Sequence, residues 1–264
     1  MRTAVNKRLR QARKLLYRFK GYYPAKLLDQ RFKVGLDHIG FWKVASRGQW
    51  EPETLRILDQ HLDANSLFLD IGAWIGPTVL YAARKCKEVI CFEPDPIAFQ
   101  ELRKNIRLNN FSNVQPFQAA VSDQNQISRM SSLNAHLGDS MTSLLADPKT
   151  QKQGFDALVL SWHTIEELLV NKHPQMIKID VEGSEFALIP AMATYLKKFQ
   201  PTLLLSIHPE LIADELRQQK IQELIGLLEH YPHCFNEKME EIQISSLADP
   251  KYLNGYPAFL FRSY

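Results

Sequence analysis

Residues 67–85 read LFLDIGAWIGPTVLYAARK: a short apolar run, an aspartate, two glycines, then an amphipathic segment. Apolar runs this short suit strands covered on both faces, and from Leu67 onward they alternate with segments of helical periodicity. A strand that feeds a helix and returns parallel must cross over the sheet. The alternation therefore predicts an α/β fold, a mostly parallel sheet with helices on both faces. Strands are expected at 67–72, 88–93, 114–121, 175–181 and 201–207, and helices at 76–86, 96–109, 183–198 and 211–229. Pro77 and Pro96 sit at first-turn positions, where a missing N–H costs nothing. Residues 256–262 read as a late antiparallel strand with 239–245 as a weaker partner, while 122–156 turns polar and irregular, with room for short strands or a flap beside the substrate.

The loop after the first of these strands carries the chemistry. Glycine lets a backbone approach a ligand closely, and the helix that follows presents unpaired N–H groups to it. A second strand, EVICFEPDP, ends in Glu93, 21 residues after Gly72, where an acidic side chain can accept both ribose hydroxyl hydrogens. Nicotinamide-binding loops read G-x-G-x-x-G, whereas this one reads D-x-G-x-x-x-G. Asp70 beside the loop would repel a pyrophosphate but could receive the ammonium of S-adenosylmethionine. Charge complementarity favours a methyl donor over a dinucleotide, and disfavours an oxidoreductase.

In MIKIDVEG, Lys178, Asp180 and Glu182 alternate onto one side of a strand that should be buried. Such charges are costly unless paired, and Lys178 can neutralise either acid. Asp180 stands at the strand's C-terminal end, where open α/β sheets bind ligands. Glu182 and Glu185 flank Gly183 and Ser184 at a helix start, where acids are expected as caps; Glu182 remains a secondary site candidate. His208, in LLLSIHPE, should emerge at the same sheet edge beside Asp180.

Taken in order, FLDIGAWIG, CFEPDPIAFQELRKNIRLNN, MIKIDVEGSEFALI and PTLLLSIHPE resemble the FkbM-type family of S-adenosylmethionine-dependent methyltransferases, over roughly residues 48–210. The resemblance implies a Rossmann-like fold with a seven-stranded sheet. It also implies O-methylation of hydroxyls on sugars, polyketides or lipid-linked glycans. Carried over by position, Asp70, Gly72 and Gly76 hold the methionine part, Glu93 the ribose, and Ala120 and Ser122 border the adenine. Ala73, Pro94 and Glu182 complete the expected cofactor set. The family usually has Asn after Gly-Ala, where this chain has Trp74. Methyl transfer to an alcohol needs a group to take the hydroxyl proton, so His208 is expected as general base with Asp180 beside it. Asp180, His208 and Glu210 offer an alternative, a divalent ion that lowers the alcohol's pKa. A nucleic-acid methyltransferase is a further alternative, but the place of its usual Asn/Asp-Pro-Pro-aromatic signature reads Asp-Val-Glu-Gly.

The net charge of +3 is unevenly spread. Residues 1–33 hold eleven Lys or Arg against Asp29 alone, a net +10 that leaves −7 on the remaining 231 residues. Val5, Leu9, Ala12, Leu16 and Phe19 step by four and three, so an amphipathic basic helix is expected over 1–33, either lying on an anionic membrane surface or packed on the body. The organisation expected is a basic arm and lead-in over 1–47 and a catalytic domain over 48–264. Trp42, Lys43, Trp50 and Glu51 precede the first nucleotide-type strand and could fold over the site, with core packing the plainer role for the tryptophans. Three cysteines without a CxxC pair offer neither a disulfide framework nor a zinc knuckle, and no apolar stretch is long enough for a membrane span. A cytoplasmic protein, peripheral at the inner face of the membrane, is the expectation.

Overall fold

The computed structural model describes residues 15–133, 136–145 and 154–264. A hairpin of β1 (Tyr23–Leu27) and β2 (Gln30–Val34) leads into helices α1 (Ile39–Ala45) and α2 (Pro52–His61). Alternation then sets in with β3 (Leu67–Ile71), α3 (Pro77–Lys85), β4 (Glu88–Phe92), α4 (Pro96–Leu108) and β5 (Val114–Phe117). Next come β6 (Ala120–Ser122), β7 (Gln126–Ser132), β8 (Thr142–Ser143), β9 (Phe155–Ser161) and α5 (Trp162–Leu168). The chain returns through β10 (Met176–Ile179), α6 (Glu185–Phe199), β11 (Thr202–Ser206) and α7 (Asp214–Leu228), and closes with β12 (His233–Phe235), β13 (Glu241–Ile242) and β14 (Ala258–Arg262).

The main sheet runs β13-β12-β14-β11-β10-β3-β4-β5. Its pairs from β11 to β5 are parallel, while β14 is antiparallel to β11 and to β12. Side chains alternate across it. Leu69, Ile71, Ile90, Phe92, Ile177, Ile179, Leu203 and Leu205 pack with α5, α6 and α7, whereas Phe68, Val89, Cys91, Met176 and Leu204 pack with the hairpin and α1 to α4. Both faces are covered, which is why the parallel strands read as unbroken apolar runs. The chain leaves β3 toward β4 and β5 and comes back to β10 on the other side of β3, so the crevice of this α/β sheet opens at the C-terminal ends of β3 and β10.

The Rossmann-like expectation holds, with corrections. The main sheet has eight strands where seven were expected: β13 falls within the expected 239–245, and β12 is the addition. Residues 239–245 do not flank the last strand; β12, which the sequence reading missed, lies between β13 and β14. The single strand expected over 114–121 divides into β5, at the edge of the main sheet, and β6, which pairs parallel with β9 in a four-stranded sheet. The polar stretch after 122 supplies the rest of that sheet, β7 antiparallel to β9 and β8 antiparallel to β7.

The helix expected over 1–33 is also corrected. Residues 15–20 are helical, but β1 and β2 pair from Tyr23 to Val34 and bury Ala25, Leu27, Phe32 and Val34. The period-two pattern of YPAKL and QRFKV outweighs the basic composition there, because it gives the hairpin an apolar face to set against α4 and α1. Of the apolar stripe, Leu16 is 46% and Phe19 91% exposed, and Val5, Leu9 and Ala12 lie outside the described residues. Among the described residues no helix is long and apolar enough to cross a membrane.

One buried side chain ties the hairpin to the glycine loop. Asn105 on α4 accepts from the Gly35 backbone N–H at 2.7 Å and donates to the Ile75 carbonyl at 2.9 Å. Asn105→Leu keeps the volume and leaves both backbone groups unmet, so it should cost about 2–4 kcal/mol. Urea unfolding checks this; a loss under about 0.5 kcal/mol, the scale of a neutral surface change, would show that the brace carries no weight.

Candidate functional site

The loop between β3 and α3 is shaped by contact with the neighbouring strand. Gly72 has φ +91°, and a Cβ there would stand 1.8 Å from the Asp180 carbonyl oxygen. Its N–H and that of Ala73 both donate to the Phe92 carbonyl at 3.0 Å, drawing the loop over the end of β4. Gly76, also at φ +91°, caps α3. The loop therefore runs flush against both flanking strand ends, leaving its outer surface to a cavity of about 250 Å³.

Gly72, Ala73, Glu93, Pro94, Ala120, Asp180, Glu182 and His208 all lie on that cavity's wall. Asp70, Gly76 and Ser122 do not. Asp70 is fully buried beneath the loop, accepting from the Thr78 hydroxyl at 2.5 Å and standing 3.6 Å from the Lys178 ammonium. Register explains the pairing, since Lys178 is the cross-strand partner of Asp70 on β3 and β10. The partner expected for Asp70 was a ligand's ammonium; within the chain that place is held by Lys178. Ser122 lines a neighbouring groove with Phe186, Leu211 and Ile212.

Glu93 sits at one end of the cavity, 5% exposed. Its Oε2 accepts from the Trp74 N–H at 2.7 Å and its Oε1 from the Asp95 N–H at 2.8 Å. Burial pushes its pKa up to about 8, against the pull of those two N–H groups. Trp74 occupies φ +47°, a conformation in which asparagine is at ease and a bulky side chain is strained. Compensation comes from its indole, which donates to the Gly138 carbonyl at 2.9 Å and packs edge-on against Phe41 with centroids 4.5 Å apart. Asp95 caps α4 and also accepts from the Gly138 N–H at 2.7 Å, so the segment holding Asp139 and Met141 is drawn onto the cavity wall.

At the other end, β10 and β11 deliver an acid and histidine cluster. Asp180 Oδ2 is 3.1 Å from Lys178 Nζ, and its Oδ1 is 3.6 Å from His208 Nε2. Glu182 Oε2 stands 3.4 Å from the same nitrogen. On the far side of the ring, Glu185 Oε1 accepts from the His208 backbone N–H at 2.6 Å and faces Nδ1 at 3.2 Å, fixing the imidazole with Nε2 toward the cavity. Burial works against the His208 imidazolium, but Glu185, Asp180 and Glu182 outweigh it and lift the pKa to about 9. Burial also raises Glu182, to about 7, and Asp180 pushes it the same way. For Asp180 burial is the largest influence, yet Lys178 and His208 together bring its pKa below the ordinary value.

Sequence reasoning took Glu185 for a helix cap. It does accept from the Gly183 N–H at 2.9 Å, but its other oxygen positions His208. Glu210, suggested as a third metal ligand, turns away and accepts from the Gly255 N–H at 2.6 Å; Glu182 takes that place. Trp42 is a core residue, fully buried, whereas Trp50 and Glu51 line the cavity. Three residues on the wall, Glu51, Trp74 and Glu182, hold the left-handed conformation without being glycine. Strain of this kind persists where surrounding structure over-determines the backbone, and it concentrates at ligand sites.

Among curated proteins, an uncharacterised protein of Methanocaldococcus jannaschii is 27% identical over 94 residues, which span 36% of this chain and 36% of that protein. Methyltransferase 1 of Beauveria bassiana is 27% identical over 141 residues, which span 46% of this chain and 56% of that protein. The chain thus spans about a third of the length of the first relative and a little over half that of the second. Among solved structures, Methyltransferase FkbM from Methylobacillus flagellatus KT superposes with a TM-score of 0.47 at 13% identity, covering 86% of this chain and 56% of that one. The Methyltransferase FkbM domain matches residues 70–232, more than half of the sequence and all of the site from Asp70 to His208. The chain belongs to the FkbM methyltransferase family.

Proposed function

We propose that the protein transfers the methyl group of S-adenosylmethionine to a hydroxyl of a sugar, glycan, lipid-linked or polyketide-like acceptor. The observation that carries this reading is that Glu93 and the Asp180–Glu182–His208 cluster face one cavity from opposite sides of the Gly72 loop. Glu93 offers carboxylate lone pairs beyond those taken by Trp74 and Asp95, which suits a pair of ribose hydroxyl donors. Gly72 and Ala73 present backbone without bulk for the methionine part, and Asp180 and Glu182 lie where its positive charges would be welcome.

When bound, S-adenosylmethionine supplies a methyl group on a sulfonium; as the acceptor oxygen bonds to that carbon the C–S bond breaks and its electron pair stays on sulfur. The chain's part is to position the reactants in line and, once the His208 imidazole is neutral above its raised pKa of about 9, to take the hydroxyl proton at that end of the cavity, so transfer should rise with pH toward that value. Lys178 keeps Asp180 ionised, and Glu185 keeps the His208 ring aimed. The cavity's acidity, with Glu51, Asp180 and Glu182 on its wall, favours a hydroxylated acceptor over a polyanionic nucleic acid.

The test is calorimetric titration with S-adenosylmethionine and with NADH, followed by transfer of labelled methyl to panels of glycoside, glycolipid and polyketide hydroxyls. Binding of NADH instead of the methyl donor, or label only on nucleic acid, would overturn the reading. Glu93→Ala should weaken cofactor binding by about 1.5 kcal/mol or more, roughly tenfold, through loss of hydrogen bonds to a charged acceptor. The raised Glu93 pKa gives a further signature. Its protonated form has surrendered acceptor capacity, so affinity for 5′-methylthioadenosine, which keeps the ribose, should rise as pH climbs through about 8. Glu93→Gln should flatten that profile; an unchanged slope would remove Glu93 from the ribose.

A further inference from the structure

The geometry points to a divalent cation site formed by Asp180, Glu182 and His208 at the acceptor end of the cavity, selective for a first-row transition ion such as Mn²⁺. One ligand atom from each of the three lies within 4.8 Å of the others. The two separations from His208 Nε2, 3.6 Å to Asp180 Oδ1 and 3.4 Å to Glu182 Oε2, are too long for good hydrogen bonds. Donors held at about 2.1 Å from one ion, at tetrahedral or octahedral angles, stand about 3.0–3.4 Å apart, so a small closure brings the cluster into coordination.

Glu182 supplies an independent sign. Its side chain is only 10% exposed, and among the described residues its Oε2 has no hydrogen-bond partner, although it is aimed at the cluster. A buried carboxylate oxygen with no hydrogen-bond donor is costly unless something positive completes it: the protonated His208 ring at 3.4 Å does so without a good hydrogen bond, and an ion bound to the neutral ring would take its place. The φ of +47° at Glu182 and the Ser143 hydroxyl bonded to its carbonyl at 2.6 Å hold it in that pose.

The surroundings have the form of a metal site's support. A metal-binding histidine typically gives its other ring N–H to a carboxylate, as His208 Nδ1 does to Glu185 Oε1. A ligating carboxylate is typically held through its other oxygen, as Asp180 is by Lys178. Two carboxylates balance a divalent charge, and an imidazole nitrogen favours Mn²⁺ or Zn²⁺ over Ca²⁺. Three protein ligands leave positions open toward the cavity. A hydroxyl bound there would lose its proton to water, the O–H pair staying on oxygen, and become the nucleophile; with Nε2 on the ion, His208 then serves as a ligand in place of taking the proton itself. That role rests on the methyl-transfer reading; the binding of the ion does not.

The test is Mn²⁺ binding to the full chain without cofactor, read by loss of the free-ion paramagnetic resonance signal. One Mn²⁺ per chain is expected, with binding at least tenfold weaker in Glu182→Gln and in Asp180→Asn, and unchanged in Glu210→Gln. No saturable binding, or binding indifferent to both Glu182→Gln and Asp180→Asn, overturns the site. Titration with S-adenosylhomocysteine separates the two claims. Homocysteine-nucleoside binding without Mn²⁺ binding sinks the cation site alone, and Mn²⁺ binding without it supports the cation site while sinking the methyl-transfer reading.

Discussion

Substituting His208 by alanine should lower methyl transfer by about 10²–10⁴ while changing affinity for S-adenosylhomocysteine only a few-fold. The expectation follows from placement. His208 is 3% exposed, its Nε2 points into the cavity, and Glu93, the proposed ribose partner, stands at the cavity's other end. Loss of the ring removes the nitrogen that takes the hydroxyl proton or, with the ion bound, holds that ion, and leaves the glycine loop and Glu93 in place. Asp180→Asn should act in the same direction, because it removes the charge that faces Nε2 and the charge that pairs with Lys178. Glu185→Gln gives a milder loss, since a glutamine keeps an acceptor for Nδ1–H while removing the charge and the acceptor for the Gly183 N–H. Single-turnover transfer of labelled methyl, with affinity measured alongside, distinguishes these effects from misfolding. Near-native turnover in His208→Ala would place the proton acceptor elsewhere.

The parts of this site that were legible in the sequence are those governed by local rules. A glycine flanked by a strand and a helix, an acid at the end of the next strand, and charges spaced by two in an apolar strand each carry a physical cost or permission that a reader can recognise without coordinates. Gly72, Glu93, Asp180 and His208 converge because strand ends in a parallel sheet converge. What the sequence concealed depends on tertiary contact. Glu185 reads as a cap because caps are the commoner use of an acid at a helix start, and only β11, laying His208 against α6, gives it a second task. Asp70 reads as a ligand group because the partner that claims it, Lys178, is 108 residues away and meets it only through strand register. Trp74 looks disruptive until the Gly138 carbonyl, 64 residues on, accepts its indole N–H. The hairpin of β1 and β2 was hidden by composition: eleven basic residues over 1–33 drew attention from the alternation that buries Phe32 and Val34.

Gly72→Ala should be the most damaging single methyl in the chain's described glycines, removing cofactor binding by more than about 10² and destabilising the fold by about 3 kcal/mol or more. Two costs combine. At φ +91° an alanine is strained by about 1–2 kcal/mol, and its Cβ would stand 1.8 Å from a backbone carbonyl oxygen, that of Asp180. Backbone cannot rotate out of the way as a side chain does. The Asp180 N–H donates to the Ile71 carbonyl at 2.9 Å, and β3 and β10 are paired from Phe68↔Met176 to Ile71↔Ile179, so the two chains are locked where they would need to part. Overpacking in such a setting costs a further 1–3 kcal/mol. Relief requires either that Asp180 swing away from His208 or that the loop flip, which breaks the Trp74 N–H bond to Glu93. Both routes damage the proposed site, one at each end of the cavity. Gly48 is the control: its φ is +70°, but nothing lies within 4 Å of the added Cβ, so Gly48→Ala should cost only the conformational part, about 1–2 kcal/mol, and leave binding intact. Urea unfolding and calorimetry with S-adenosylhomocysteine on the two variants decide the matter. If Gly72→Ala is as stable as Gly48→Ala and binds as wild type does, the close approach of loop to strand is not what shapes the cofactor cradle.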